Sequence, residues 1–140
     1  MATLYVRLGG APAISAVVDD FVARCAVDRR INAKFARSDV PRLKTMLVDQ
    51  VSEATGGLAT YRGRTMKDAH RGMKVTAGEF DALVANLVAT LNQFKVGTGE
   101  QQELLGILGS LRGDIVEVES PQTGTPLPAS YAPAPPLVKT

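Results

Sequence analysis

The stretch VTAGEFDALVANLVATL, residues 75–91, decides the fold class of this chain. Its large apolar side chains recur at steps of three and four residues, the spacing of one buried helix face. They are Phe80, Leu83, Val84, Leu87, Val88 and Leu91, and Phe94 continues the series. Thr76 and Glu79 stand before them at the spacing of a capping box. The stretch therefore predicts a long amphipathic helix over 76–94.

The same apolar period occurs in three further segments: 12–27, 40–55 and 99–118. In the second segment, Asp39 is placed to cap the helix and Pro41 falls in its first turn, where a missing donor costs nothing. That run ends at Gly56 and Gly57, a helix stop signal. No segment alternates as a strand does. The sequence predicts an all-α domain of four main helices with short extra turns.

Length, charge and cysteine content restrict the class of protein. The chain has 140 residues, which favours one domain, and its net charge of +2 argues against a nucleic-acid partner. Its single cysteine, Cys25, lies on the buried stripe of the first segment, where it is expected to be a small core residue. One cysteine allows no internal disulfide and favours a reducing compartment. Without a leader-like start or a long apolar run, we expect a cytoplasmic protein with no membrane segment.

The C-terminal end differs from the rest of the chain. Six of the eight prolines fall within 121–140, a segment with one charged side chain, Lys139, and no helical period. Proline fixes φ and removes a backbone donor, so this composition favours an extended or disordered tail. We predict a folded domain over 1–118 and a tail over 119–140, and deletion of residues 121–140 is expected to leave stability nearly unchanged.

His70 is the only histidine, and it lies in MKDAHRGM, residues 66–73. From spacing alone, an exposed or structural histidine is the simpler interpretation. One imidazole cannot form a zinc site without a cluster of cysteines or further histidines, and no serine elbow accompanies it. One chemistry does require a single histidine: axial ligation of haem iron, where the porphyrin supplies four other nitrogens.

Four stretches together resemble the group I truncated haemoglobins, especially cyanobacterial members. They are LYVRLGG, INAKFAR, the glycine pair before YRGRTMKDAH, and VTAGEFDALVANLVATL, and their order and spacing carry the resemblance over about residues 3–118. The resemblance implies a two-over-two helical sandwich around haem b. It implies that His70, in an M-x-x-x-H pattern beginning at Met66, is the proximal iron ligand. It also implies that Phe35 packs against the porphyrin, although an ordinary core phenylalanine would serve as well.

The chain departs from this family on the distal side of the haem. The family usually carries a tyrosine and a glutamine or histidine there, whereas alignment of the glycine pairs and His70 places apolar residues at or near those positions. They are Val22, Leu43, Met46 and Leu47. A lost hydrogen bond to the gas ligand costs about 1–3 kcal/mol, or roughly ten- to hundred-fold in oxygen affinity. We therefore expect an apolar distal pocket, with Gln50 at its rim or in solvent.

Three functions follow from this resemblance. The first is reversible binding of oxygen, carbon monoxide or nitric oxide, with an unidentified reductase and a monomeric state. The second is a redox or electron-transfer protein in which Met46 is a sixth iron ligand; pocket filling is its simpler role. The third is a haem-free helical interaction module. The resemblance leaves a nitric oxide dioxygenase or peroxidase side activity open.

Several cations are placed near where haem propionates could emerge, and a cation there would pair with a carboxylate. They are Arg42, Lys44, Arg64 and Lys67. Solvated surface charge is an equally good interpretation for each. Tyr61, in the loop before His70, is expected to be structural.

Overall fold

A computed structural model describes residues 3–35, 39–57, 61 and 65–128. Over these residues the chain is helical, and the one β-type contact is an isolated bridge between Thr76 and Val118. The helices are α1 (Leu4–Leu8), α2 (Gly10–Val27), a 3-10 helix (Asn32–Phe35), α3 (Val40–Ala54), α4 (Met66–His70), α5 (Ala77–Gln93), α6 (Thr98–Gly109) and α7 (Arg112–Ile115). The predicted all-α class is confirmed.

The helix starts predicted from local sequence are confirmed in atomic detail. At α5, the Thr76 hydroxyl accepts a hydrogen bond from Glu79 N at 3.0 Å, and the Glu79 carboxylate accepts one from Thr76 N at 3.0 Å. At α3, the Asp39 carboxylate accepts a hydrogen bond from Arg42 N at 3.2 Å, and Pro41 lies in the first turn. Both helices start where side chains satisfy orphaned backbone donors.

The segment predicted as one helix over 99–118 is instead two helices. α6 ends at Gly109 and α7 covers only Arg112–Ile115. At the break, Leu111 N donates to Leu108 O at 3.0 Å, which tightens the last turn. Gly106, Gly109 and Gly113 explain the break, because glycine inside a helix costs about 1 kcal/mol relative to alanine. The apolar period alone did not reveal this cost.

The core forms where α2 packs against α3 and α5. Ile14, Val18 and Val22 form one buried cluster, and Cys25 belongs to a second cluster with Ile31 and Ala82. Burial raises the pKa of the Cys25 thiol to about 12, so the thiol stays neutral as a small core residue, as predicted.

Hydrogen bonds between polar side chains fix α2 on α5. The Thr90 hydroxyl donates to Asp20 Oδ2 at 2.8 Å, and the Asn86 amide donates to Asp28 Oδ2 at 2.9 Å. The Arg30 guanidinium beside Asp28 holds the pKa of that carboxyl well below its usual range. These hydrogen bonds hold α2 and α5 together on one side of the domain.

Residues 116–128, the C-terminal strap, return to the start of α5. Ala77 N donates to Val118 O and Gly78 N donates to Ser120 O, each at 3.0 Å. A Cβ on Gly78 would lie only 2.3 Å from Pro121 O, so the strap approaches as closely as glycine allows. The sequence predicts an extended or disordered tail over 119–140, whereas residues 119–128 pack on the domain through the bonds to α5.

The physical reason lies in backbone chemistry. The first amides of a helix have no partner within the helix, and strap carbonyls accept hydrogen bonds from those of α5. Proline removes donors from the strap but leaves every carbonyl as an acceptor. Residues 129–140 of the predicted tail lie outside the described residues. None of the helices in the described ranges is long and apolar enough to cross a bilayer.

Deleting residues 121–140 is now expected to destabilise the domain. The deletion removes strap hydrogen bonds to buried partners, each worth about 0.5–1.5 kcal/mol, so the free energy of unfolding should fall by about 2 kcal/mol or more. Urea unfolding of the full and shortened chains measures this. A chain lacking only 129–140 is the control, because it keeps the strap. An unchanged urea midpoint in the 121–140 deletion would mean that the tail adds no stability, as expected from the sequence.

Candidate haem-binding site

A largely apolar cavity of about 380 Å³ lies inside the helical sandwich. Its walls come from α2, α3, α4, α5 and α6, and include the apolar side chains Phe21, Leu47, Val51, Leu83, Leu87 and Leu108. Among the described residues, four polar side chains also line it: Gln50, Glu53, Tyr61 and His70. An apolar concavity with a few placed polar groups is the usual form of a cofactor site.

His70, the last residue of α4, reaches the cavity with a defined tautomer. Its Nδ1 lies 2.8 Å from the carbonyl oxygen of Met66. A carbonyl only accepts hydrogen bonds, so Nδ1 carries the proton and the lone pair is on Nε2. This is how proteins orient a histidine that ligates a metal through Nε2.

The M-x-x-x-H pattern explains this arrangement. Its four-residue spacing puts Met66 and His70 on one face of α4, and both line the cavity. Met66 also packs against the cluster formed by Val75, Phe80 and Ile115. Lys67, one residue further along, is exposed and is not part of the cavity wall. The pattern thus places the predicted iron ligand, His70, beside the carbonyl that orients its ring.

Of the four predicted distal residues, Leu47 lines the cavity. Val22 is buried, with 5% of its surface exposed, in a cluster that packs against Leu47, but the wall at this point is formed by Phe21. Leu43 and Met46 are half-buried outside the cavity wall. The cavity face of α3 therefore lies toward its C-terminal half. The four assignments as haem or iron contacts stay predictions.

Gln50, Glu53 and Tyr61 add polar groups to the cavity wall. Gln50 was expected at the rim or in solvent, Tyr61 was expected to be structural, and Glu53 was not predicted. Gln50 follows Leu47 by three residues on α3, so helical spacing was the signal for its position. Glu53 accepts a hydrogen bond from Tyr61 N at 3.0 Å, which ties the loop before α4 to α3. These side chains give the cavity polar groups that an entirely apolar pocket would lack.

The remaining predicted contacts lie around the cavity. Phe35 is half-buried against the cluster that contains Cys25 and is not in the cavity wall. Lys44 Nζ forms an ion pair with Asp19 at 3.4 Å. Arg42, like Lys44, already interacts with another group of the protein. Arg64 lies outside the described residues. The propionate roles stay predictions.

The donor chemistry of the cavity fits haem. Within the described ranges, no three His, Cys, Asp or Glu side chains gather as a metal site. His70 therefore suits a metal whose other ligands come with a cofactor, and the apolar walls suit a flat hydrophobic ring.

Comparison with known proteins agrees with this geometry. Residues 3–117 match the family described as bacterial-like globin. A group 1 truncated hemoglobin of Tetrahymena pyriformis is 31% identical over 114 residues, covering 81% of this chain and 94% of the relative. A group 1 truncated hemoglobin of Synechocystis sp. is 33% identical, covering 79% and 92%.

Solved structures give the same result. The crystal structure of the Tetrahymena pyriformis truncated hemoglobin in its Fe(III) form superposes with a TM-score of 0.79 at 30% identity, covering 82% of this chain and 98% of that one. A cyanomet 2/2 hemoglobin of Synechococcus sp., described as having covalently attached heme, gives 0.78 at 33% identity with the same coverage. The fold is that of the truncated hemoglobins. The chain belongs to the bacterial-like globins, as a group I truncated haemoglobin, a family that binds haem and gases.

Proposed function

We propose that this globin holds haem b in its cavity through His70 Nε2 and reversibly binds a diatomic gas: oxygen, carbon monoxide or nitric oxide. The observation that carries this proposal is the hydrogen bond from His70 Nδ1 to Met66 O at the cavity wall. When bound, haem supplies an iron with one open position for the gas. The protein orients the ligating imidazole and surrounds the ring with apolar side chains that exclude water.

A visible spectrum of the purified protein tests this function. A Soret band is expected, and its absence would favour the haem-free interaction module. The ferrous bands should be those of five-coordinate iron, since Met46 lies outside the cavity wall. Six-coordinate bands that disappear in Met46→Leu would instead support the redox alternative. Because oxygen binds ferrous iron, we also propose an unidentified reductase as partner, and we expect a cytoplasmic monomer.

Gln50 is proposed as the donor that compensates for the apolar residues Val22, Leu43 and Leu47. Its side chain lines the cavity on the same face of α3 as Leu47. An amide N–H can donate to a bound gas, and in a dry site such a bond is weakly screened. The distal pocket is then mainly apolar with one amide.

Gln50→Leu should accelerate oxygen dissociation about ten-fold, because a lost hydrogen bond is worth about 1–2 kcal/mol. Carbon monoxide dissociation should change much less. Stopped-flow measurement of both off-rates tests this, with Gln93→Leu on the exposed end of α5 as control. Equal oxygen off-rates in the parent and in Gln50→Leu would mean that Gln50 donates no hydrogen bond to the gas and that the distal pocket is fully apolar. In such a pocket, Val22→Tyr should slow oxygen dissociation.

A further inference from the structure

A buried ion pair lies outside the cavity wall. Lys34 Nζ is 3.7 Å from Glu79 Oε1, and the two side chains are only 5% and 1% exposed. Lys34 belongs to the 3-10 helix and Glu79 to the first turn of α5. Removing two charges from water is costly unless their remaining donors and acceptors are satisfied, so this pair requires further partners.

The C-terminal strap supplies those partners through one residue. The Thr125 hydroxyl donates to Glu79 Oε2 at 2.7 Å and accepts from Lys34 Nζ at 2.9 Å. Thr125 N donates to the same carboxylate oxygen at 2.8 Å, and the Pro126 carbonyl accepts from Lys34 Nζ at 3.1 Å. A hydroxyl acts as donor and acceptor at once, which lets Thr125 bridge both charges.

The strap is bonded on both sides of this pair. On one side, Gly124 N donates to the carbonyl of Arg30 at 2.6 Å. On the other, the Thr76 hydroxyl donates to the carbonyl of Gln122. The strap therefore joins two segments that are distant in sequence: residues 30–35 and the start of α5.

We propose that the C-terminal strap, fastened by Thr125, positions residues 30–35 on α5. Phe35 directly follows Lys34, so the strap also sets the place of the predicted haem-contacting phenylalanine. That consequence rests on the proposed function, whereas the fastening itself does not. The tail is thus a structural part of the domain, and its loss should disturb residues 30–35, the segment beside the haem pocket.

Thr125→Val tests the fastening, because valine keeps the shape and removes the hydroxyl. Amide hydrogen exchange over residues 30–35 should accelerate about ten-fold or more, since both buried charges lose a partner. Thr123→Val, at an exposed strap position, is the matched control and should change exchange less than two-fold. Unchanged exchange at 30–35 in Thr125→Val would overturn the proposal. An equal rise throughout α3 and α6 would also overturn it, because that would indicate general destabilisation.

Haem transfer to excess apoglobin separates this proposal from the proposed function. Haem loss should be several-fold faster from Thr125→Val than from the parent or Thr123→Val. If hydrogen exchange over residues 30–35 is faster but the rate of haem loss is unchanged, Thr125 fastens the strap and Phe35 does not contact the haem. If the parent protein has no Soret band, the proposed function fails, and hydrogen exchange still decides on the strap.

Discussion

Replacing His70 by glycine is expected to abolish tight haem retention. The chain has one histidine, so no second imidazole can take its place. Loss of a group that merely orients a metal ligand costs 10–100-fold in affinity, so loss of the ligand should exceed about 100-fold. The measurement is the Soret absorbance per protein after purification, followed by haem titration.

Added imidazole provides a direct check on this result. The glycine variant leaves space where the ring was, and free imidazole should restore the Soret band if His70 acts as a ligand. Met66→Leu is the matched control, because the carbonyl that orients His70 belongs to the backbone and is retained. Full haem occupancy with an unaltered spectrum in His70→Gly would mean that another residue holds the iron.

The parts of the fold that were predictable from sequence depend on local chemistry. The capping box of Thr76 and Glu79 and the N-cap of Asp39 involve residues three apart, so their geometry follows from the sequence order. The apolar period located α2, α3 and α5. The break after Gly109 was missed because periodicity measures burial and does not measure the cost of glycine in a helix.

The strap could not be predicted for a different reason. Its contacts join Thr125 to Lys34 and Glu79, 91 and 46 residues away. Composition predicts an extended or disordered, proline-rich tail but carries no information about where its carbonyls and hydroxyls lie. The sequence placed Glu79 in a capping box but gave no sign that the fold buries it beside Lys34.

For the candidate site, the resemblance supplied more than the residues alone did. The single histidine raised iron ligation as one possibility for His70, and the order and spacing of the four stretches made it the preferred interpretation. The residues on the distal side were harder to predict from sequence, because a small rotation or shift of α3 decides which side chains reach the cavity. Leu47 lines the wall while Met46, its neighbour, does not, and Gln50 reaches the cavity from the next turn.

Lys34→Met is expected to cost about 3–5 kcal/mol of stability, the largest loss among single substitutions outside the cavity. Methionine preserves the apolar stem but leaves Glu79 as a buried charge without its cation. Urea unfolding with linear extrapolation measures the change. Arg7→Met is the comparison, because Arg7 and Glu103 form an exposed ion pair that is screened by water, and its effect should be much smaller.

The double variant Lys34→Met with Glu79→Gln shows whether the loss arises from the orphaned charge. Glutamine is neutral, and its carbonyl oxygen still accepts a hydrogen bond from Thr125 or from Thr76 N. The second substitution should therefore restore at least about half of the lost stability, about 1.5–2.5 kcal/mol, and the two single losses should not add in the double-mutant cycle. Additive losses would show that lysine contributes through its packing alone. A loss below about 1 kcal/mol for Lys34→Met would mean that Lys34 and Glu79 are solvated in solution, and Thr125 would then have no buried charges to bridge.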